Sequence, residues 1–130
     1  MSVIAGEKSF LDRFLAYWLP VLVMLTGIVV LSAQPHLKPP IEFPQSDKVF
    51  HLLEYGTLGF LLARAVRGSL PGQSVFVIAV LAVGLGACVG AGDEYFQSFV
   101  PGRESSALDW VADVTGLIVG LIAYRWRAWR

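Results

Sequence analysis

Two long stretches of this chain carry no charge. From residue 14 to residue 37 there is no Asp, Glu, Lys or Arg, and residues 14–33 (FLAYWLPVLVMLTGIVVLSA) hold nothing that is costly in lipid. Residues 68–92 are again uncharged, and 74–92 are mostly Val, Ala, Leu, Ile and Gly. A bilayer core about 30 Å thick needs about 20 residues of helix, so both stretches predict membrane spans. Two further segments, 49–66 (VFHLLEYGTLGFLLARAV) and 107–124 (ALDWVADVTGLIVGLIAY), are long enough to cross but are polar in their N-terminal halves. The expectation is an all-α fold: one domain over residues 1–130, a bundle of four transmembrane helices at about 14–33, 49–66, 74–92 and 107–124. Pro20 should bend the first helix, which a membrane helix tolerates. A cleaved signal peptide fits that segment poorly, because its apolar core exceeds the usual 7–15 residues and Leu31-Ser32-Ala33 is a weak cleavage site.

The connections agree with this division. Residues 34–46 contain Pro35, Pro39, Pro40 and Pro44 and cannot continue a helix. Ser69-Leu70-Pro71-Gly72 and Val100-Pro101-Gly102 carry turn chemistry. Four spans place both termini on one side. With the termini cytoplasmic, the inner segments hold Lys8, Arg13, Arg64, Arg67, Arg125, Arg127 and Arg130, against Lys38, Lys48 and Arg103 outside, as the positive-inside rule requires. Residues 34–46 are then an outer loop, and Trp126 and Trp129 read as interfacial anchors. Of the acids, Glu7 and Asp12 lie inside. Glu42, Asp47, Glu54, Asp93, Glu94, Glu104, Asp109 and Asp113 lie outside or in the outer halves of helices.

Composition sharpens the picture. The chain is 55% hydrophobic and only 15% charged, with ten basic and ten acidic side chains that cancel. That excludes a nucleic-acid binder working through a basic field and a disordered tail. The single cysteine, Cys88, excludes a disulfide scaffold. Cys88 sits among Gly84, Gly86, Gly90 and Gly92, small residues that suggest close contact with another helix or a second copy, so an oligomer is possible.

The polar residues form a pattern of their own. Asp47, His51 and Tyr55 fall at i, i+4 and i+8 with Glu54 on their flank, and Asp93 and Gln97 are one turn apart beside Glu94. Asp109, Asp113, Gly116 and Gly120 make one stripe on the fourth helix, whose glycines would hold the aspartates against a neighbouring helix. Some of these have structural readings: Asp47 as an N-cap, and Ser106 with Asp109 as a capping box. A charge at the bilayer centre costs about 2.5–3.5 kcal/mol, however, so Glu54 and Asp113 call for partners. The expected pairs are Arg103 with Asp109, and His51 with Asp93 or Glu94. The candidate pocket residues are therefore Asp47, Lys48, His51, Glu54, Tyr55, Asp93, Glu94, Gln97, Arg103, Ser106, Asp109 and Asp113.

From Asp47 to Gly120 the chain resembles the VanZ-like family of small bacterial membrane proteins. The resemblance rests on Asp47-Lys48-x-x-His51-x-x-x-Tyr55-x-x-Leu58-Gly59, on Asp93-Glu94-x-x-Gln97-x-Phe99-x-Pro101-Gly102-Arg103, on Ser106-x-x-Asp109 and on Gly116-x-x-x-Gly120, in this order. The chain has Asp113 where the family usually has Asn, so a role needing a neutral group there would require a protonated carboxyl. The resemblance implies a multi-pass protein of the bacterial cytoplasmic membrane. It also implies a link to resistance against teicoplanin, a glycopeptide with a lipid tail, but no established reaction.

Three functions follow as expectations. The first is recognition of an amphiphile, such as a lipid-tailed glycopeptide or a lipid-linked cell-wall precursor, in a polar pocket at the outer face, with membrane lipids as the surroundings. The second is a membrane-embedded enzyme, with His51 as general base, Asp93 or Glu94 orienting it, and Arg103 steadying an anion. A variant of it has His51, Asp93, Glu94 and Asp109 holding a metal. The third is a small proton-coupled exporter, disfavoured because the acids crowd one face rather than the midplane. No HExxH or GxSxG spacing is present, and no cofactor is expected.

Overall fold

The computed structural model describes residues 9–128; Glu7, Lys8, Trp129 and Arg130 lie outside the described residues. Four helices follow one another: α1 (Phe10–Ser32), α2 (Ser46–Ser69), α3 (Val75–Gln97) and α4 (Ala107–Ala128). Each is long and apolar enough to cross a membrane. They run several residues past the apolar stretches, because the flanking polar residues cap and extend the helices. At the start of α1, the Ser9 side chain and the Asp12 carboxylate cap each other's backbone. Ser74 accepts from the Val77 N–H at the start of α3. Between α2 and α3 the chain turns at Gly72, with φ of 90°, and Arg67 clasps the turn by donating to the Gln73 carbonyl at 2.8 Å.

Pro20 has no N–H to give the Ala16 carbonyl one turn earlier. That carbonyl accepts instead from Arg64 Nη1 of α2 at 2.8 Å. The same guanidinium lies over the Tyr17 ring, 5.1 Å from its centroid. The basic side chain thus gives a backbone carbonyl the donor that lipid lacks, and it ties α1 to α2 at the end opposite the cavity. Nearby, Trp18 Nε1 donates to Ser69 Oγ at 2.8 Å. Elsewhere α1 buries little beyond Val21, Ile28 and Ser32.

The tightest packing joins α2 to α4, which are not neighbours in sequence. Lys48 meets Asp109, His51 meets Asp113, and Gly56 meets Gly116 and Gly120, so the residue numbers rise together and the two helices run parallel. Their backbones touch. A Cβ on Gly116 would fall on the Leu52 carbonyl oxygen and 2.8 Å from the Gly56 nitrogen. One on Gly120 would overlap the Gly56 carbonyl oxygen and approach the Phe60 nitrogen to 2.6 Å, and one on Gly59 would lie 2.6 Å from Leu117 Cα. In lipid, helices gain little from burying apolar surface, so such close small-residue packing is what joins them.

The third helix lies against this pair through a single stripe: Ile78, Ala82, Gly86, Gly90, Asp93 and Gln97 are buried. Gly86 receives the Leu117 side chain, and Gly90 makes room for Tyr55, Trp110 and Asp113. Gly84 and Gly92 have nothing within 4 Å of the place a Cβ would take, and Cys88 is exposed. The alternating glycines therefore divide into two that pack and two that do not, as a helical rather than an extended period demands.

Gly116→Ala should destabilise the protein by about 1–3 kcal/mol or more, since both atoms it would strike are backbone. Gly84→Ala should leave stability unchanged or slightly raised, because Ala is the better helix former. Thermal unfolding of the purified variants in one detergent measures both. Equal midpoints for Gly116→Ala and the native chain would contradict the packing.

Candidate functional site

The N-terminal ends of α2 and α4 and the C-terminal ends of α1 and α3 gather at one end of the bundle. There they enclose a cavity of about 450 Å³. Its polar lining includes Asp47, Lys48, His51, Glu54, Gln97, Arg103, Ser106 and Asp109. Leu31, Leu37, Pro39, Pro40 and Phe50 contribute apolar lining. The remaining sequence candidates stand behind this wall: Tyr55 and Asp113 are fully buried, and Asp93 and Glu94 nearly so. Both parallel helices point their N-termini here, and the partial positive charge of a helix start favours the first-turn carboxylates Asp47 and Asp109.

The pairings differ from those the spacing suggested. Asp109 Oδ1 accepts from Lys48 Nζ at 2.9 Å, and the same ammonium reaches Asp47 Oδ2 at 2.8 Å. Arg103 has no ion-pair partner among the described residues and lines the cavity half-buried. His51 Nδ1 lies 2.8 Å from Asp113 Oδ1, so the ring N–H donates to a carboxylate on α4 rather than to Asp93 or Glu94 on α3. The reason is the parallel contact of α2 with α4, which sets these two residues side by side. Asp93 instead accepts from Gln97 Nε2 at 2.8 Å, one turn along α3, and Gln97 also donates to Ser32 Oγ of α1 at 3.2 Å.

The helix starts also depart from expectation. Asp47 is not the N-cap of α2; that position is Gln45, in the left-handed region with φ of 64°, and Asp47 lies in the first turn. Ser106 does cap α4, its Oγ accepting from the Leu108 N–H at 3.2 Å. The returning half of the capping box comes from another helix: Glu94 Oε2 accepts the Ser106 N–H at 2.8 Å. Asp109, shorter than Glu and held by Lys48, does not supply it.

Some participants escaped sequence reasoning. Ser32 looked like the end of an apolar span, yet it is buried and linked to Gln97. His36, in the proline-rich loop, has φ of 53°, donates its backbone N–H to the Pro101 carbonyl at 3.2 Å, and packs its ring on Gly102. Only a glycine fits beneath that ring, so the Pro-Gly pair in the α3–α4 turn carried a usable signal. Beyond the Ser32–Gln97–Asp93 chain, a second cavity of about 300 Å³ opens between α1 and α3. It is walled by Leu25, Ile28, Val29, Val89, Gly92 and Phe96, with Asp93 at its edge.

The site is held tightly, but not all of it is satisfied. Glu54 Oε1, Tyr55 OH, Glu94 Oε1 and Asp113 Oδ2 are buried without a hydrogen-bond partner. One candidate ligand atom from each of His51, Glu94 and Asp109 lies within 4.8 Å of the other two. Four apolar helices with this polar chamber at one end define a multi-pass helical membrane protein whose buried chemistry is confined to one face. Residues 6–128 match the family model described as VanZ/LLP1, and the chain belongs to that family. No curated protein and no solved structure matches it.

The pairings give a direct test by double-mutant cycles on unfolding. Lys48→Ala and Asp109→Ala should be coupled by about 0.5–3 kcal/mol, since the first leaves buried Asp109 without its cation and the second takes from Lys48 one of its two carboxylates. Arg103→Ala combined with Asp109→Ala should be additive within about 0.5 kcal/mol. The reverse outcome would return Arg103 to the role that Lys48 fills.

Proposed function

We propose that this protein recognises an amphiphile at the outer face of the bacterial cytoplasmic membrane, taking the polar headgroup into the cavity. The observation that carries the reading is the cavity itself: its lining combines apolar residues with Lys48, His51, Arg103 and carboxylates, at the end of a bundle otherwise coated with apolar side chains. The groove between α1 and α3 supports it as a place for an acyl or prenyl chain to lie. Orientation follows from the basic residues. Arg13, Arg64, Arg67, Arg125 and Arg127 all lie in the half of the bundle away from the cavity, so the positive-inside rule turns the cavity outward and both termini to the cytoplasm. Lipid-tailed glycopeptides and lipid-linked cell-wall precursors have the required form, a long apolar chain on a large polar head.

One observation favours a second reading, that the bound amphiphile is also a substrate. The bond from Asp113 fixes the orientation of the His51 ring, as a general base requires. Mass spectrometry of the amphiphile after incubation with the protein decides it: a cleaved or transferred product supports catalysis, and unchanged ligand at long times retires it. The exporter reading has less support, because the acids lie at one end of the bundle rather than at its middle.

Binding is tested with protein in lipid nanodiscs, using a lipid-tailed glycopeptide, its untailed analogue and a lipid-linked cell-wall precursor. A tailed ligand should bind, and the Arg103→Ala/His51→Ala variant should bind it at least about tenfold more weakly, or about 1.4 kcal/mol. Equal binding by the variant and the native chain would overturn the assignment of the cavity.

A further inference from the structure

We propose that His51, Glu94 and Asp109 together hold a divalent metal ion of the zinc or manganese type at the inner wall of the cavity. Its open coordination positions would take phosphoryl oxygens of the amphiphile's headgroup. The second part rests on the function proposed above; the first does not.

The three donors come from three helices, α2, α3 and α4, so only the folded bundle assembles them. Bonds of about 2.0–2.2 Å put the ligands of one ion roughly 3–4.4 Å apart. The candidate donor atoms, all within 4.8 Å of one another, lie within or a few tenths of an ångström beyond that range, so binding an ion asks them to draw in slightly. Each donor is already fixed through one atom, which leaves another free. His51 is held at Nδ1 by Asp113, leaving Nε2. Glu94 is held at Oε2 by the Ser106 N–H, leaving Oε1. Asp109 is held at Oδ1 by Lys48, leaving Oδ2. An imidazole whose other nitrogen is bonded to a carboxylate is the usual state of a metal-bound histidine, and Asp113 is that second carboxylate here.

Two further observations point to a ligand rather than to a structural cluster. Glu94 is only 7% exposed, yet its Oε1, the oxygen left for the ion, has no hydrogen-bond partner. An orphaned buried oxygen is expensive unless something outside the chain satisfies it. Charge gives the sign of that missing partner. Glu54, Asp93, Glu94, Asp109 and Asp113 stand around the inner wall, and with Asp47 and Glu104 in the lining these seven carboxylates outnumber the basic groups Lys38, Lys48, Arg103 and His51. A divalent cation offsets this excess where a membrane makes uncompensated carboxylates costly. One nitrogen and two carboxylate oxygens suit zinc or manganese better than magnesium, which prefers oxygen and water.

Three protein ligands leave at least one position open. His51 and Asp109 line the cavity while Glu94 stands behind it, so the open side faces the cavity, where Arg103 and Lys48 also lie. A metal ion with a guanidinium and an ammonium beside it is an arrangement for a phosphate or diphosphate.

The test uses the full chain in detergent, stripped with a chelator and dialysed against zinc or manganese. Elemental analysis should find about one ion per chain, and the unfolding midpoint should rise with metal concentration, because the ion binds only the folded bundle. Glu94→Gln and Asp109→Asn keep shape but remove a ligand charge, and each should lose the ion. Asp113→Asn should weaken binding by about 10–100-fold, and Glu42→Gln, in the outer loop, should not change it. Size-exclusion profile and helix content confirm that each variant is folded. Metal content in the native chain no higher than in the Glu94→Gln/Asp109→Asn variant would overturn the site. A polyprenyl diphosphate and the matching polyprenol, each with and without chelator, test the headgroup. Metal-dependent binding of the diphosphate alone supports the inference. Diphosphate binding that survives the chelator overturns it and leaves amphiphile recognition standing. A bound metal with no binding of either lipid retains the ion and overturns the headgroup assignment together with that broader reading.

Discussion

The ion pairs at the heart of the chamber are positioned by a backbone-to-backbone contact between two helices that are not adjacent in sequence. Gly56 and Gly59 on α2 and Gly116 and Gly120 on α4 lack the Cβ atoms that would hold these helices apart. Lipid tails are as apolar as the helix surfaces, so dispersion and shape, not release of water, must join them. Because α2 and α4 run parallel, the contact fixes a register. Lys48 then falls beside Asp109 and His51 beside Asp113, one to two turns from the glycines. The chamber at the bundle's end is thus a consequence of how closely its middle can pack.

The same need to satisfy polar groups without water recurs at the opposite end. There Arg64 occupies the carbonyl that Pro20 leaves free, and the side chain read in sequence as a topology signal also acts as a helix-to-helix clasp. At the cavity end the arrangement is less complete. Ser32, Gln97 and Asp93 form a finished hydrogen-bonded chain, whereas Glu54, Tyr55, Glu94 and Asp113 each keep an unpaired buried atom. Native interiors leave few such atoms, and four around one chamber distinguish it from a purely structural polar core. The cost in stability is tolerable where the groups serve a ligand.

Two of the four spans were legible as long runs without charge; the other two, interrupted by Glu54 and Arg64 and by Asp109 and Asp113, were legible from their length and the apolar half that each keeps. The crowding of acids toward one end could likewise be read from where each lies along its helix. What could not be read was which acid meets which base. Arg103 and Asp109 are six residues apart around a turn, which made them obvious partners, yet Lys48, 61 positions from Asp109, is the one that reaches it. Such a pairing depends on how two helices are rotated against each other, which the period of one helix does not encode. The α3 glycines make the same point: Gly86 and Gly90 receive side chains of α2 and α4, while a Cβ at Gly84 or Gly92 would meet nothing within 4 Å, a division visible only once α4 is in place. Glu94, capping a different helix, belongs to that class too.

The central claim is that the chamber opens to the exterior and receives its ligand there. Labelling of intact cells with a membrane-impermeant thiol reagent tests it most directly, using Glu104→Cys, at the cavity lining, or Gln73→Cys, in the α2–α3 turn, each in a Cys88→Ala background. Position 104 should label from outside and be protected by a bound amphiphile, while position 73 should label only after the membrane is opened. Labelling of position 73 in intact cells, with position 104 reached only after lysis, would contradict the account.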